Sequence, residues 1–268
     1  MEEGAIQRRP VTRVTGRSSE RFEDAIAVER ALEIRVDGRA LSVTLRTPGH
    51  DEELALGFLA SEGVVRRAAD VSALAATAAR HRDEPDVLDV TLAAGVPLDW
   101  SRLERHSAST AACGICGRAH LESLHAGLAP VASPPRWDAA ALLALPARVR
   151  ESQSGFEATG ALHAAVWCDG ALEPRVSRED VGRHNAVDKV CGALLREGRY
   201  GANEGLLWVS GRAGAELVLK AARARIPALA AVGAPSSLAI DLAATAGMTL
   251  VGFLRDGRMN VYTGEGVA

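Results

Sequence analysis

Cys113 and Cys116 stand two residues apart in SASTAACGICGRAHLESL (107–124) and are the side chains whose type and spacing most directly suggest chemistry. A C-x-x-C brings two sulfurs close enough to share a metal, close a disulfide, or act as attacking and resolving thiols. Structural zinc needs four ligands. Cys168 and Cys191 are isolated on apolar elements, where a cysteine is more often a small core residue, and His120 and His125 complete no familiar spacing. A thioredoxin-type pair expects a strand leading into a helix, and no strand signal precedes this one. The third reading, favoured over these two, is a reactive thiolate on a loop of small residues. Lowering a thiol pKa from about 8.5 to about 7 raises its ionised fraction at neutral pH from a few per cent to about half. Gly114 and Gly117 leave room for a substrate, and such a cysteine can carry a persulfide.

Other polar stretches could serve a bound ligand. TGALHAAV (159–166) holds His163, but Ala164 and Ala165 follow it and no P-C-x-x-C lies downstream. The residues therefore speak against zinc-deaminase chemistry, which would predict bound zinc, and favour either a packed histidine at the end of an element or a deaminase-like scaffold without its metal. SREDVGRHNAVDKV (177–190) crowds Glu179, Asp180, Arg183, His184, Asn185, Asp188 and Lys189 around a helix start. Capping explains Glu179 or Asp180; the rest suggests a ligand-facing cluster. VSGRAGAE (209–216) and GAPSSLA (233–239) each leave an apolar strand and open a helix with small residues, which suits phosphate. Neither is a G-x-G-x-x-G or a P-loop. With Arg183 and Arg212 near the same sheet edge they suggest a polyphosphate or nucleotide. FLRDGR (253–258) adds Arg255 and Arg258, whose forked guanidiniums suit pyrophosphate, although an exposed hairpin tip would look the same.

These stretches need a scaffold. The 268 residues suffice for two lobes without a disulfide or metal staple. A net charge of −3 gives no general pull towards nucleic acid or anionic lipid, so phosphate binding must be local. Residues 1–23 are polar and read as a flexible N-terminus with no apolar leader. The longest uncharged run, 226–240, is interrupted by Pro227, Gly233 and Pro235 and falls short of a membrane span of about 20 residues. The cytoplasm is the expected location.

Alternation on both sides of Asp37-Gly38 predicts a hairpin with a type I′ turn. A helix over 49–63 and a strand at 86–92 follow, giving a small α+β N-terminal lobe over 24–135 with a mobile CGIC loop at 107–120. The connector after residue 95 is loop-rich, with one short helix near 118–128. Beyond Trp137, apolar strands alternate with helices, and a last strand pairs back through Asp256-Gly257. That pattern predicts an α/β layered sheet covered on both faces over 136–268.

Taken in order, ACGICG, TGALHAA, EDVGRHNAVDKV, SGRAGAELVLKAA, GAPSSLAIDLA and GMTLVGFLRDGRMNVYT resemble the FdhD/NarQ family of formate dehydrogenase accessory sulfurtransferases, over about 28–264. The resemblance implies a cytidine-deaminase-like three-layer α/β domain beside the smaller lobe, usually as a homodimer. It also implies a cytoplasmic sulfur carrier that accepts sulfur from a cysteine desulfurase as a cysteine persulfide. The sulfur would pass to the molybdenum cofactor, in its bis-molybdopterin guanine dinucleotide form, before insertion into formate dehydrogenase. The persulfide position maps onto Cys113 and the auxiliary thiol onto Cys116. The cofactor-binding segment maps onto Phe253, Leu254, Arg255, Asp256, Gly257 and Arg258. No resident metal, nucleic acid or membrane partner is expected. The alternative is a non-enzymatic cofactor chaperone whose C-x-x-C grips the metal.

Overall fold

The computed structural model of the chain describes residues 4–81, 83–101, 103 and 128–268. Cys113, Cys116 and the whole 107–120 loop lie outside the described residues, as does most of the helix expected near 118–128.

Residues 6–23, expected as a flexible terminus, are instead built into a hairpin of β1 (Ile6–Thr15) and β2 (Ser18–Ala27). Most of the ribbon is exposed on both faces, so its sequence carries no alternation to read; Gly16, at φ +60°, supplies the turn.

Next come β3 (Arg30–Val36), β4 (Arg39–Arg46), helix α1 (Asp51–Ser61), β5 (Val71–Thr77) and β6 (Asp86–Leu92). Their four strands form one sheet in the order β4-β3-β6-β5, with β3 and β6 parallel. Asp37 and Gly38 both have positive φ, 50° and 80°, as a type I′ turn requires. Leu32, Ile34, Val36, Leu88 and Val90 alternate onto the face that α1 covers with Leu54, Ala55 and Leu59. Arg46 is buried beneath this layer, bidentate to Asp51 at 2.9 and 2.7 Å and bound to Asp86 at 2.8 Å.

The second layer system follows α2 (Ala139–Arg150) and α3 (Ser154–Thr159). It runs β7 (His163–Cys168), β8 (Pro174–Asp180), α4 (Arg183–Arg196), β9 (Leu206–Val209), α5 (Ala215–Arg223), β10 (Ala228–Ala231), α6 (Ser237–Thr245), β11 (Thr249–Arg255) and β12 (Arg258–Thr263). The six strands lie in the order β12-β11-β10-β9-β7-β8, with β9, β10 and β11 parallel. Alternate strand residues point to opposite sides. Ala165, Trp167, Leu207, Val209, Leu229 and Ala231 pack under α4, α5 and α6. Ala164, Val166, Leu206, Trp208, Ala228 and Val251 pack under α2, through Leu142, Leu145 and Val149. Helices therefore cover both faces, and the architecture is mixed α/β.

The two systems meet where α1 crosses α4. A Cβ on Gly57 would overlap the Asp188 carbonyl, and one on Gly192 would overlap the Glu53 carbonyl, so the helix backbones touch at two glycines. Around that crossing Leu195 of α4 joins the core of the first sheet.

Candidate functional site at the strand carboxyl edge

Open α/β sheets bind ligands beyond the carboxyl ends of their parallel strands, because the turns there present free backbone groups. Here that edge is continuous. Asp180 pairs with His163 across β8 and β7. Ser210, just past β9, donates its N–H to Ala164 O at 3.0 Å. Gly233 N–H donates to Gly211 O at 2.9 Å and Phe253 N–H to Gly233 O at 3.1 Å. Five strands spaced by about 4.8 Å give an edge of about 19 Å, long enough for a nucleotide-sized ligand. The turns over 210–214 and 233–236 are joined further by a bridge between Ala213 and Pro235. These two loops, expected from their small residues to suit phosphate, do lie side by side.

Glycine is required at this junction. A Cβ on Gly233 would come within 2.9 Å of Arg212 Cγ, and one on Gly252 within 2.8 Å of Pro235 Cδ. Phe253 then takes φ +53° at a bulge in β11. For a bulky residue this is an outlier costing on the order of 1–3 kcal/mol, and such strain concentrates at functional sites.

Three basic groups converge at the other end of the edge. His163 is half-buried with its ring against Gly211, where a Cβ would lie 3.6 Å from Nδ1 and 4.0 Å from Arg183 Cδ. Burial, then the charge of Arg183, lowers its pKa against an opposing pull from Asp180. His184 Nε2 lies 3.3 Å from Glu216 Oε2. Burial nevertheless pulls the His184 pKa down to about 4, with Arg183, Lys220 and His163 adding to Glu216's defeat, so this imidazole is neutral at pH 7. Among the described residues Arg183, Arg212 and Arg258 have no carboxylate partner, and all three are exposed. A groove of about 800 Å³ lies elsewhere, at the base of the β1–β2 hairpin between Arg9, Leu45 and the 79–84 turn. Its mixed charges, with Arg30 already bound to Asp86 at 2.7 Å, give it no such bias towards an anion.

The cluster expected to face a ligand over 177–190 divides sharply. Glu179 accepts from Gly155 N–H and Phe156 N–H, both at 2.8 Å, and so caps α3. Asp180 is fully buried, 2.7 Å from Lys189 Nζ, and accepts N–H groups from Thr47 and Gly182. Asn185 donates to Leu45 O at 2.8 Å and accepts from Thr44 Oγ1, which ties α4 to the edge of β4. Asp188 binds Lys220 at 2.7 Å and accepts from Ser61 Oγ. These residues are structural; only Arg183 and His184 reach the site. Sequence reasoning also missed Glu216, whose place in the first turn of α5 makes it look like an ordinary helix-end carboxylate.

The fold and edge can now be set beside known proteins. A model of the FdhD/NarQ family matches residues 27–267. The chain belongs to the FdhD/NarQ family. It is 50% identical over 96% of its length to the sulfur carrier protein FdhD of Nocardia farcinica, covering 92% of that protein. It is 48% identical over 97% of its length to the protein of that name from Anaeromyxobacter dehalogenans, again covering 92%. A crystal structure from Desulfotalea psychrophila, provisionally described as a formate dehydrogenase accessory protein, matches with a TM-score of 0.77. That match has 24% identity and covers 98% of this chain and 100% of that one, and shows a shared fold.

In this family member the six residues of the expected cofactor segment are split by the bulge. Phe253 sits on the edge, Leu254 is wholly buried beneath α2, and Arg255, Asp256, Gly257 and Arg258 form an exposed hairpin tip. Asp256 and Gly257 have φ of 53° and 69°, a second type I′ turn. Burial pushes both the Cys168 and Cys191 thiols up to about 12, so neither supplies thiolate at neutral pH. No helix among the described residues is long and apolar enough to cross a membrane.

Proposed function

We propose that this protein is a sulfur carrier of the molybdenum cofactor pathway, with Cys113 as the sulfur-bearing residue. The observation that carries the reading is its 50% identity, over nearly its whole length, to a relative named as a sulfur carrier protein. The inert state of Cys168 and Cys191 adds to it, because a transferable sulfur is then left to the Cys113–Cys116 pair.

In the proposed step the Cys113 thiolate attacks the terminal sulfur of a persulfide on a cysteine desulfurase. A Cys113–S–SH bond forms and the desulfurase cysteine leaves as thiolate, so electrons and protons balance. The Cys116 thiolate then attacks Cys113 Sγ, closing a disulfide and releasing hydrosulfide towards the acceptor; a cellular thiol reductant restores the pair. The acceptor is the bis-molybdopterin guanine dinucleotide cofactor, carried as cargo to formate dehydrogenase. Its guanine diphosphate ends would lie along the 210–214 and 233–236 turns and the 253–258 segment. Arg183, Arg212, Arg255 and Arg258 would neutralise phosphate charge there.

We further propose a cytoplasmic homodimer whose 24–135 lobe and cytidine-deaminase-like 136–268 domain enclose the sulfur in transit. Incubation with a cysteine desulfurase and cysteine should add one sulfur to the peptide holding Cys113, removable by a thiol reductant. A cofactor chaperone that only grips metal would gain no sulfur and would lose cofactor equally on replacing either thiol. That result would overturn the proposal.

A further inference from the structure

Among the described residues, the His163 side chain has no hydrogen bond or ion pair. The ring is half-buried but its nitrogens are not among the buried polar atoms that lack a partner, so they stay open to an incoming ligand. Its surroundings say what sign that ligand carries. From α4 it faces Arg183 and, behind it, His184. From the turn after β9 it faces uncharged Gly211, with exposed Arg212 one residue on. Of the nearby carboxylates, Asp180 at the end of β8 is paired with Lys189, Glu179 accepts from the start of α3, and Glu216 on α5 lies against neutral His184 and within reach of the Lys220 charge. The Ser210 hydroxyl accepts from Ala164 N–H at 2.9 Å, which fixes its oxygen beside the histidine. His163, Arg183 and Arg212 therefore gather at one edge, and the charges that act on the His163 ring are Arg183 and the paired Asp180 rather than Glu216.

We propose that His163 contacts the phosphate of a bound nucleoside diphosphate and takes up a proton when that ligand binds. The identity of the ligand rests on the site reading given above; the role of His163 rests on its own geometry. In the free protein burial and Arg183 keep the ring neutral at physiological pH. A phosphate oxyanion placed between His163 and Arg183 reverses the balance, because it favours the imidazolium and converts the contact into a charge-assisted hydrogen bond. Binding then becomes linked to pH: affinity rises as pH falls from about 8.5 to about 6.5, a one-unit rise in a coupled pKa being worth up to about tenfold.

Calorimetry of GDP binding at pH 7.5, in buffers of different ionisation enthalpy, reads the proton directly. Wild type should take up a substantial fraction of one proton per GDP. His163→Gln should still bind GDP but lose that uptake, leaving only the pH dependence of the ligand's own phosphate, while His81→Gln, at the remote groove by the β1–β2 hairpin, should retain the uptake. Guanosine, which lacks phosphate, should cause no uptake. NMR of histidine-labelled wild type, which needs no variant to fold, should show the His163 titration moving to higher pH with GDP. GDP binding with no uptake, or uptake unchanged in His163→Gln, overturns the role of His163 and leaves the site standing. Failure of GDP to bind wild type overturns the site and this inference together.

Discussion

Two neighbouring regions use the same kinds of residue to opposite ends. At the seam between α1 and α4, the charged groups Asp180, Lys189, Asp188 and Lys220 are buried and paired, and backbone groups of Thr47, Gly182 and Glu179 complete their bonds. At the carboxyl edge, a few residues away, Arg183 and Arg212 are exposed and, among the described residues, have no carboxylate partner, and the His163 side chain has no polar partner there. The division falls within one stretch, between Asp180 and Arg183, where the chain leaves β8 and enters α4. Satisfied polar groups specify how the two sheets dock, whereas unsatisfied ones of a single sign are useful only once something binds.

The largest expected effect tests the seam. Lys189→Met removes the cation from a carboxylate that is 0% exposed and should cost about 3–5 kcal/mol, read as a lower midpoint in urea unfolding. A loss under about 1 kcal/mol would mean the pair is not what fastens the layers. The next test uses acid. Burial works against charge on Glu53, but bidentate Arg178 at 2.5 and 2.8 Å, aided by His50, outweighs it and holds the pKa at about 2, below its ordinary 4.5. The unfolded chain then binds more protons in this range, so the stabilisation is complete above about pH 4.5 and fades towards pH 2. Glu53→Gln should lower the melting temperature at neutral pH and flatten the fall between pH 4.5 and 2. The smallest effect on stability belongs to the edge. Arg183→Ala should leave the melting temperature within the spread of ordinary surface changes, about 0.5 kcal/mol, yet weaken GDP binding about tenfold. Equal damage to folding would erase the contrast between the two regions.

Much of the scaffold was legible because its signals are local. Asp37-Gly38 and Asp256-Gly257 announce their hairpins, and the apolar runs at β9, β10 and β11 read as buried strands. The β1–β2 ribbon, β5 and β8 were not legible, because exposed or anchoring residues replace the alternation. β8 reads PRVSRED since Arg178 and Glu179 reach out to α1 and α3. The 177–190 cluster was misjudged for a related reason. Its partners Thr47 and Ser61 lie more than a hundred residues away in sequence, so no spacing rule connects them. The adjacency of the two phosphate-suited turns followed from their common place after parallel strands, while the positive φ of Phe253 has no sequence signature at all.

Sulfur itself provides the most direct test. Sulfur-35 cysteine, a cysteine desulfurase, this protein and isolated molybdenum cofactor should together yield labelled cofactor with wild type and none with Cys113→Ala, although both proteins bind GDP. Labelled cofactor formed equally well by Cys113→Ala would contradict the account.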